Sequence, residues 1–218
     1  MVLVLARTFE DLGVKFVTFR VEEKIVVTRM QALQRLGYLL ENGAEYLFPN
    51  RRVTSCYFDT RDYRVFHESE EGVLPRRKVR IRNYNNEDQY FLETKTSSIE
   101  GRFKNGQKLD RLVAKKNMSS HMFDNLLGNI MPVVSVSYKR CYVSINNLRI
   151  TIDTDIRYQN LRKSCSFAEK FCVIEIKAAV DQPTESINHF LPMQRGRFSK
   201  YCRAINAVKP HGLLLQRG

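Results

Sequence analysis

The chain has 218 residues, 43% hydrophobic and 27% charged, enough for one sizeable core and too few for two. Thirty-six Lys and Arg against 23 Asp and Glu give a net charge of +13, a surplus that asks for an anionic partner: nucleic acid, phosphate compounds or an anionic membrane surface. Five cysteines, odd in number and without a Cys-x-x-Cys pair, exclude a disulfide framework and a zinc ribbon and favour a reducing compartment.

The run Val2-Leu3-Val4-Leu5-Ala6 is ended by Arg7. It is too short for a signal peptide or a membrane span, so a soluble cytoplasmic protein is expected. One domain over residues 1–218 is expected, with residues 1–15 as an N-terminal arm. No repeat, low-complexity tract or linker interrupts it.

Residues 16–27 read as a strand with Arg20, Glu22 and Lys24 on one face. Thr28 is placed to cap a helix reaching Glu41, on the spacing of Met30, Leu33, Leu36, Gly37 and Leu40. Asn42-Gly43 ends it. Residues 53–58 form a second strand, followed by a turn over residues 59–62. Residues 76–84 and 89–96 pair as a hairpin across the turn residues 83–88, and a short strand follows near 101–104. The spacing predicts a helix over 118–130, capped by Ser119 or Ser120 and stopped by Pro132. Three strands follow, at 133–145, 148–157 and 171–179, the first two joined at Asn146-Asn147. Helices at 184–191 and 198–208 complete the chain.

About eight strands with few helices predict an antiparallel α+β protein, an eight-stranded β-barrel tunnel with covering helices. The reason is the placement of charge. Lys78-Val79-Arg80-Ile81-Arg82, Glu93-Thr94-Lys95 and Glu175-Ile176-Lys177 alternate charged with uncharged residues, and successive strand side chains point to opposite faces. Arg20, Glu22 and Lys24, then Lys139 or Arg140, and then Asp153, Asp155 and Arg157 extend the set. Such charges are too costly to bury unpaired, so they face water, one another or a bound ion. Arginine forks and lysines suit phosphate, and carboxylates among them suit a hard divalent cation.

Other motifs are weaker. No Gly-x-x-x-x-Gly-Lys-Ser/Thr loop is present, and His67, His121, His189 and His211 lack metal spacing. Tyr57, Phe58, Tyr84, Tyr90 and Phe91 read as cross-strand packing, with base stacking as the alternative. No specific nucleic-acid partner is expected.

Eight pieces in order then carry a family resemblance. They are Arg20-Val21-Glu22-Glu23-Lys24; Ser55-Cys56-Tyr57-Phe58-Asp59-Thr60; Lys78-Val79-Arg80-Ile81-Arg82-Asn83-Tyr84; Phe91-Leu92-Glu93-Thr94-Lys95; Ser137-Tyr138-Lys139-Arg140; Arg149-Ile150-Thr151-Ile152-Asp153-Thr154-Asp155; Val173-Ile174-Glu175-Ile176-Lys177; and Arg197-Phe198-Ser199-Lys200-Tyr201. From Phe19 to Ala204 the chain resembles the catalytic domain of the vacuolar transporter chaperone family, the polyphosphate polymerases of the triphosphate tunnel metalloenzyme superfamily.

The resemblance implies transfer of the γ-phosphate of ATP to a growing polyphosphate chain. It implies that Lys24, Arg80, Arg82, Lys95, Arg140 and Lys200 grip phosphates, with Arg80, Arg82, Lys95, Arg140 and Lys200 acting in the transfer itself. Lys177 joins the phosphate set, and Arg197 serves as an extra contact at one mouth. Lys104 is the candidate for the lysine after the fourth strand, with Arg102 competing. The metal, Mn2+ or Mg2+, is implied at Glu175 with assistance from Glu22. The related triphosphatases and cyclases begin Glu-x-Glu-x-Lys. Arg20 stands here at the first Glu, which favours the polymerase branch. A stand-alone bacterial version is expected, its product exported by a membrane-protein partner. A triphosphatase of the same fold and a non-catalytic polyanion-binding module are the competing functions.

Overall fold

The computed structural model describes residues 20–161, 165–179 and 184–208. Residues 1–15, with the proposed arm, and the side chain of Arg20 lie outside that description. Among the described residues ten strands and five helices follow in chain order: β1 (Arg20–Val27), α1 (Arg29–Glu41), β2 (Glu45–Asp59), α2 (Arg64–Glu71), β3 (Arg76–Tyr84), β4 (Tyr90–Ser98), β5 (Gly101–Leu109), α3 (Arg111–Ser119), β6 (Met122–Asp124), β7 (Gly128–Ile145), β8 (Leu148–Asn160), β9 (Ser166–Ala168), β10 (Cys172–Ala179), α4 (Thr184–Phe190) and α5 (Lys200–Val208).

Eight strands form one antiparallel path in the order β1-β10-β8-β7-β2-β3-β4-β5, with β6 added to β7 and β9 to β8. Among the described residues no ladder joins β1 to β5. Yet Glu22 on β1 lies 3.3 Å from Lys95 on β4 and 3.8 Å from Arg102 on β5. Strands at opposite ends of an eight-strand order meet only if the sheet curls round the face that carries these side chains. The fold is thus a curled antiparallel sheet, closed at the β1–β5 seam by charge rather than by backbone hydrogen bonds.

The outer face is apolar and covered, as the alternation requires. Ile25, Ile150, Ile152, Ile174 and Ile176 pack under Ala32 and Leu39 of α1 and Ile187 and Phe190 of α4. Val79 and Ile81, outward, belong to a second core with Val65 and Phe66 of α2, Ala114 of α3 and Ala204 and Ile205 of α5; Val134 and Val136, paired with Tyr57 and Ser55 on the inner face, join the same cluster. Each such side chain contributes about 1.5–3 kcal/mol when fully buried.

Local rules account for most ends. Thr28 and Gln31 form a capping box at α1. Asn146 and Asn147 both take positive φ in the β7–β8 turn, the conformation of a two-residue hairpin of the primed type.

The helix predicted over 118–130 is not there. Asp110 caps α3 instead, and the hydroxyls of Ser119 and Ser120 donate to carbonyls at the end of that helix rather than capping a new one. The Asp124 carboxylate accepts from the amides of Leu126 and Leu127, and Gly128 at φ +74 completes a turn into β7. Local side-chain hydrogen bonds outcompete the helix expected over 118–130. Pro132 sits within β7, opposite Phe58, at a register shift, where a missing amide donor is tolerated.

Candidate functional site: a charged tunnel

The register assembles the lining. On β1 and β10, Lys24 faces Glu175 and Glu22 faces Lys177. On β7 and β8, Arg140 faces Asp153. On β2 and β3, Ser55 faces Arg82 and Tyr57 faces Arg80. On β3, β4 and β5, Arg80 faces Glu93, Lys78 faces Lys95, and Lys95 faces Lys104. Paired residues share a face of the sheet, so these side chains form one continuous inner surface.

Two buried carboxylates organise the arginines. Asp153, with no exposure, takes a bidentate pair from Arg140 at 2.6 and 2.7 Å and a third bond from Lys200 at 2.5 Å. Burial pushes its carboxyl upward, but Lys200 and Arg140 outweigh this and hold it below the usual range. Glu93 accepts from Arg80 at 2.6 Å and lies 3.2 Å from Lys104 and 3.6 Å from Arg82. Burial again opposes ionisation, and Arg80, then Arg82 and Lys104, pull the carboxyl down to about 2.

Phenols complete the setting. Arg80 donates to the Tyr57 hydroxyl at 3.0 Å, and Arg82 to Ser55 at 3.2 Å and to the Tyr138 hydroxyl at 3.3 Å. Burial raises the Tyr57 phenol, but Arg80 and Arg82 bring it down to about 8. Lys200 reaches the tunnel from α5. The neighbouring Tyr201 hydroxyl donates to Asp59, which itself accepts from the amides of Val65 and Phe66 at the start of α2. That buried anchor fixes the helix that carries Lys200.

Among the described residues the other two carboxylates pair with lysines and one arginine. Glu175 lies 3.0 Å from Lys177, and Glu22 lies 3.4 Å from Lys24 and 3.3 Å from Lys95. Burial acts against the charge on Glu175, yet Lys177, Arg140 and Lys24 drive its carboxyl far below the usual range. Glu22 is also lowered: burial and the like charge of Glu175 push up, and Lys95, Lys24 and Lys177 push down further. Among the described residues no cluster of three or more His, Cys, Asp or Glu forms a cation cage. Two neighbouring carboxylates on β1 and β10 still fit Mg2+ or Mn2+, because such ions are held by one or two carboxylates plus substrate phosphates.

The balance of the lining is positive. Lys24, Lys78, Arg80, Arg82, Lys95, Arg102, Lys104, Arg140, Lys177 and Lys200 are ten cations. Glu22, Glu93, Asp153 and Glu175 are four carboxylates. The difference, 10 − 4 = 6, is positive charge left for a ligand.

The structure brings together Lys24, Arg80, Arg82, Lys95, Lys104, Arg140, Lys177, Lys200, Glu22 and Glu175. The question between Lys104 and Arg102 dissolves, since both face inward, Lys104 toward Glu93 and Arg102 toward Glu22. Arg197 instead donates to the Ser69 carbonyl on α2. Asp155 leaves the lining: a bulge between Ser137 and Lys139 shifts the β7–β8 register. Asp155 takes φ +50 and pairs with Arg29 and Lys139. Lys139 is accordingly the outward neighbour and Arg140 the inward one. Tyr57 and Tyr138 were missed as arginine partners, although their strand positions in the quoted motifs put them on the inner face. Lys78 donates to Ser199 at 3.2 Å and belongs to the same surface.

A family model described as the VTC domain matches residues 19–209. No curated protein matches the chain. Among solved structures, a putative adenylate cyclase from Bacillus halodurans is similar at 14% identity and a TM-score of 0.60, over 88% of this chain and 98% of that one. A putative adenylate cyclase from Vibrio parahaemolyticus is similar at 15% identity and 0.55, over 87% and 98%. A putative adenylyl cyclase from Hippeastrum, reported to reveal a dominant triphosphatase activity, is similar at 14% identity and 0.56, over 87% and 96%. At these identities the likeness is one of fold.

Proposed function

The chain belongs to the VTC domain family, and from that membership and the tunnel lining we propose that it is a polyphosphate polymerase. It transfers the γ-phosphate of ATP to the terminal phosphate of a polyphosphate chain. The bond from the γ-phosphorus to the β,γ-bridging oxygen breaks, a bond to a terminal oxygen of the acceptor forms, and ADP leaves.

The observation that carries this reading is the charge balance: ten cations against four carboxylates leave a surplus of six positive charges around a channel in which two of the carboxylates orient arginines. Arg80, Arg82, Lys95, Arg140 and Lys200 hold the transferred phosphoryl group and spread its developing charge. Lys24, Lys104 and Lys177 hold the flanking phosphates. Arg197 stands outside this set as a contact near α2. A divalent cation, Mn2+ or Mg2+, held by Glu175 and Glu22 would supply neutralisation at phosphate oxygens. No side-chain nucleophile is required, because the acceptor phosphate is already an oxyanion.

Five cysteines without disulfides suit a cytoplasmic setting. No helix among the described residues is long and apolar enough to cross a membrane; export of the product through a membrane-protein partner is part of the proposal.

Hydrolysis is the second reading, favoured by the triphosphatase activity reported for the Hippeastrum protein. Incubation with ATP and manganese, followed by a gel that resolves polyphosphate and an assay for ADP, separates the two. Polymer with ADP is expected. Free phosphate with shortened nucleotide and no polymer overturns the polymerase reading. Arg80→Ala and Arg140→Ala are expected to lower synthesis by at least about a hundredfold while circular dichroism stays that of the parent. An undiminished rate removes the phosphate tunnel.

A further inference from the structure

One end of the tunnel carries aromatic rings and guanidinium groups that the phosphate set does not use. The register of β2 slips between Phe48, opposite Tyr142, and Arg51, opposite Arg140. The intervening residues bulge, and bulges at barrel rims re-aim side chains. The result is a compact shelf. The Phe48 ring meets Tyr142 edge-on at 5.5 Å. The Arg51 guanidinium lies 5.1 Å from the Phe48 centroid and 6.0 Å from that of Tyr142. Arg149 also lies 6.0 Å from the Tyr142 ring. Tyr84 and Phe91 extend the aromatic rim on β3 and β4, 6.2 Å apart.

Two facts separate this shelf from ordinary packing. Arg51 and Arg149 have no carboxylate partner among the described residues, whereas Arg80 and Arg140 deeper in the tunnel are each clamped by one. Arg51 is also only half-buried. An arginine already stacked on a ring, with surface left open, continues the stack for a flat heterocycle.

The spacing suits a nucleotide. Tyr142 lies two residues along β7 from Arg140, a rise of about 7 Å, on the scale of the ribose and first phosphate that separate a base from the phosphates to be transferred. Arg140 stands 6.0 Å from the same ring, so shelf and phosphate site are contiguous.

We propose that the shelf of Phe48, Arg51 and Tyr142 holds the nucleobase of the phosphate donor; the identity of that donor as a nucleoside triphosphate rests on the polymerase reading. The shelf distinguishes ATP from a bare tripolyphosphate, which the rest of the tunnel grips equally well.

The test compares binding of ATP and of tripolyphosphate by calorimetry, with chelator present to prevent turnover, for the parent chain and for Arg51→Lys. The substitution keeps the charge and loses the planar stacking surface. The parent is expected to bind ATP about tenfold more tightly than tripolyphosphate. Arg51→Lys is expected to lose that preference with tripolyphosphate affinity unchanged. Equal binding of the two ligands by the parent overturns the proposal, and so does a preference that survives in Arg51→Lys. Equal weakening of both ligands makes Arg51 a phosphate contact and also overturns it. Absence of binding by either ligand fells the shelf and the tunnel together. If instead the preference depends on Arg51 but ATP and manganese yield no polymer, the shelf stands and the polymerase reading falls.

Discussion

Replacing Asp153 by Asn should cost stability and yet strengthen the response to polyanions. Asp153 has no exposure and balances Arg140 and Lys200 through bonds of 2.5 to 2.7 Å. Asn keeps the shape and some hydrogen bonding but removes the carboxylate that, among the described residues, alone pairs with either cation. Breaking a buried pair from one side costs about 3–5 kcal/mol, and the retained shape points to the lower end, about 3 kcal/mol. At about 2–4 °C per kcal/mol for a domain of this size, the melting temperature should fall by about 6–12 °C. Tripolyphosphate at a hundred times its dissociation constant stabilises the parent by about 2.7 kcal/mol. In Asp153→Asn the two freed cations attract the ligand more strongly, so the gain at the same concentration should be larger. Thermal melts of both proteins, with and without tripolyphosphate, read both quantities. A loss under about 1 kcal/mol, or an equal ligand gain in the two proteins, would refute the idea that Asp153 offsets the charge of Arg140 and Lys200.

Glu93 should set an acid limit. Its carboxyl falls from an ordinary 4.5 to about 2 in the folded chain, so the unfolded state binds more protons between those values. The contribution, about 3 kcal/mol at about 1.4 kcal/mol per pH unit, is complete above pH 4.5 and is lost as pH falls toward 2. Melts of Glu93→Gln and the parent should therefore converge as pH drops from 7 to 3; a constant gap would contradict it. Metal removal should stop transfer without unfolding the chain, because Glu22 and Glu175 already have lysine partners. Melting in EDTA and in manganese should agree within about 2 °C when no phosphate ligand is present, and a larger gap would mean a preformed metal site.

Much of this was legible in the sequence because period-two alternation survives folding. Lys78, Arg80 and Arg82 share a face in any straight strand, and the register only chose their neighbours. α1 was readable through the Thr28 cap, whereas Met30 and Leu33, part of the spacing it also rested on, are exposed and Ala32 and Leu39 are the buried residues. Three things were not readable. The helix assigned to residues 118–130 rested on spacing alone, which a carboxylate at Asp124 and a glycine at 128 defeated. Asp155 was lost to a bulge, and a bulge leaves no mark in a pattern of alternation. The partner of Arg197 lies on a helix over residues 64–71 whose N-cap, Tyr63, offers no side-chain capping hydrogen bond to mark its start.

The four carboxylates divide by what holds them, and that division links fold to chemistry. Asp153 and Glu93 meet arginine forks, whose fixed planar geometry makes the pairs rigid; they are part of the scaffold and present Arg140 and Arg80 in one orientation. Glu22 and Glu175 meet mainly lysines, which are compact charges on flexible stems and can be displaced by a cation or drawn off by phosphate. Glu22 also carries the β1–β5 seam through Lys95 and Arg102. Any ligand that engages Glu22 or those two cations therefore competes with the contacts that close the tunnel. Binding at Glu22 and closure of the sheet are thus coupled through one side chain.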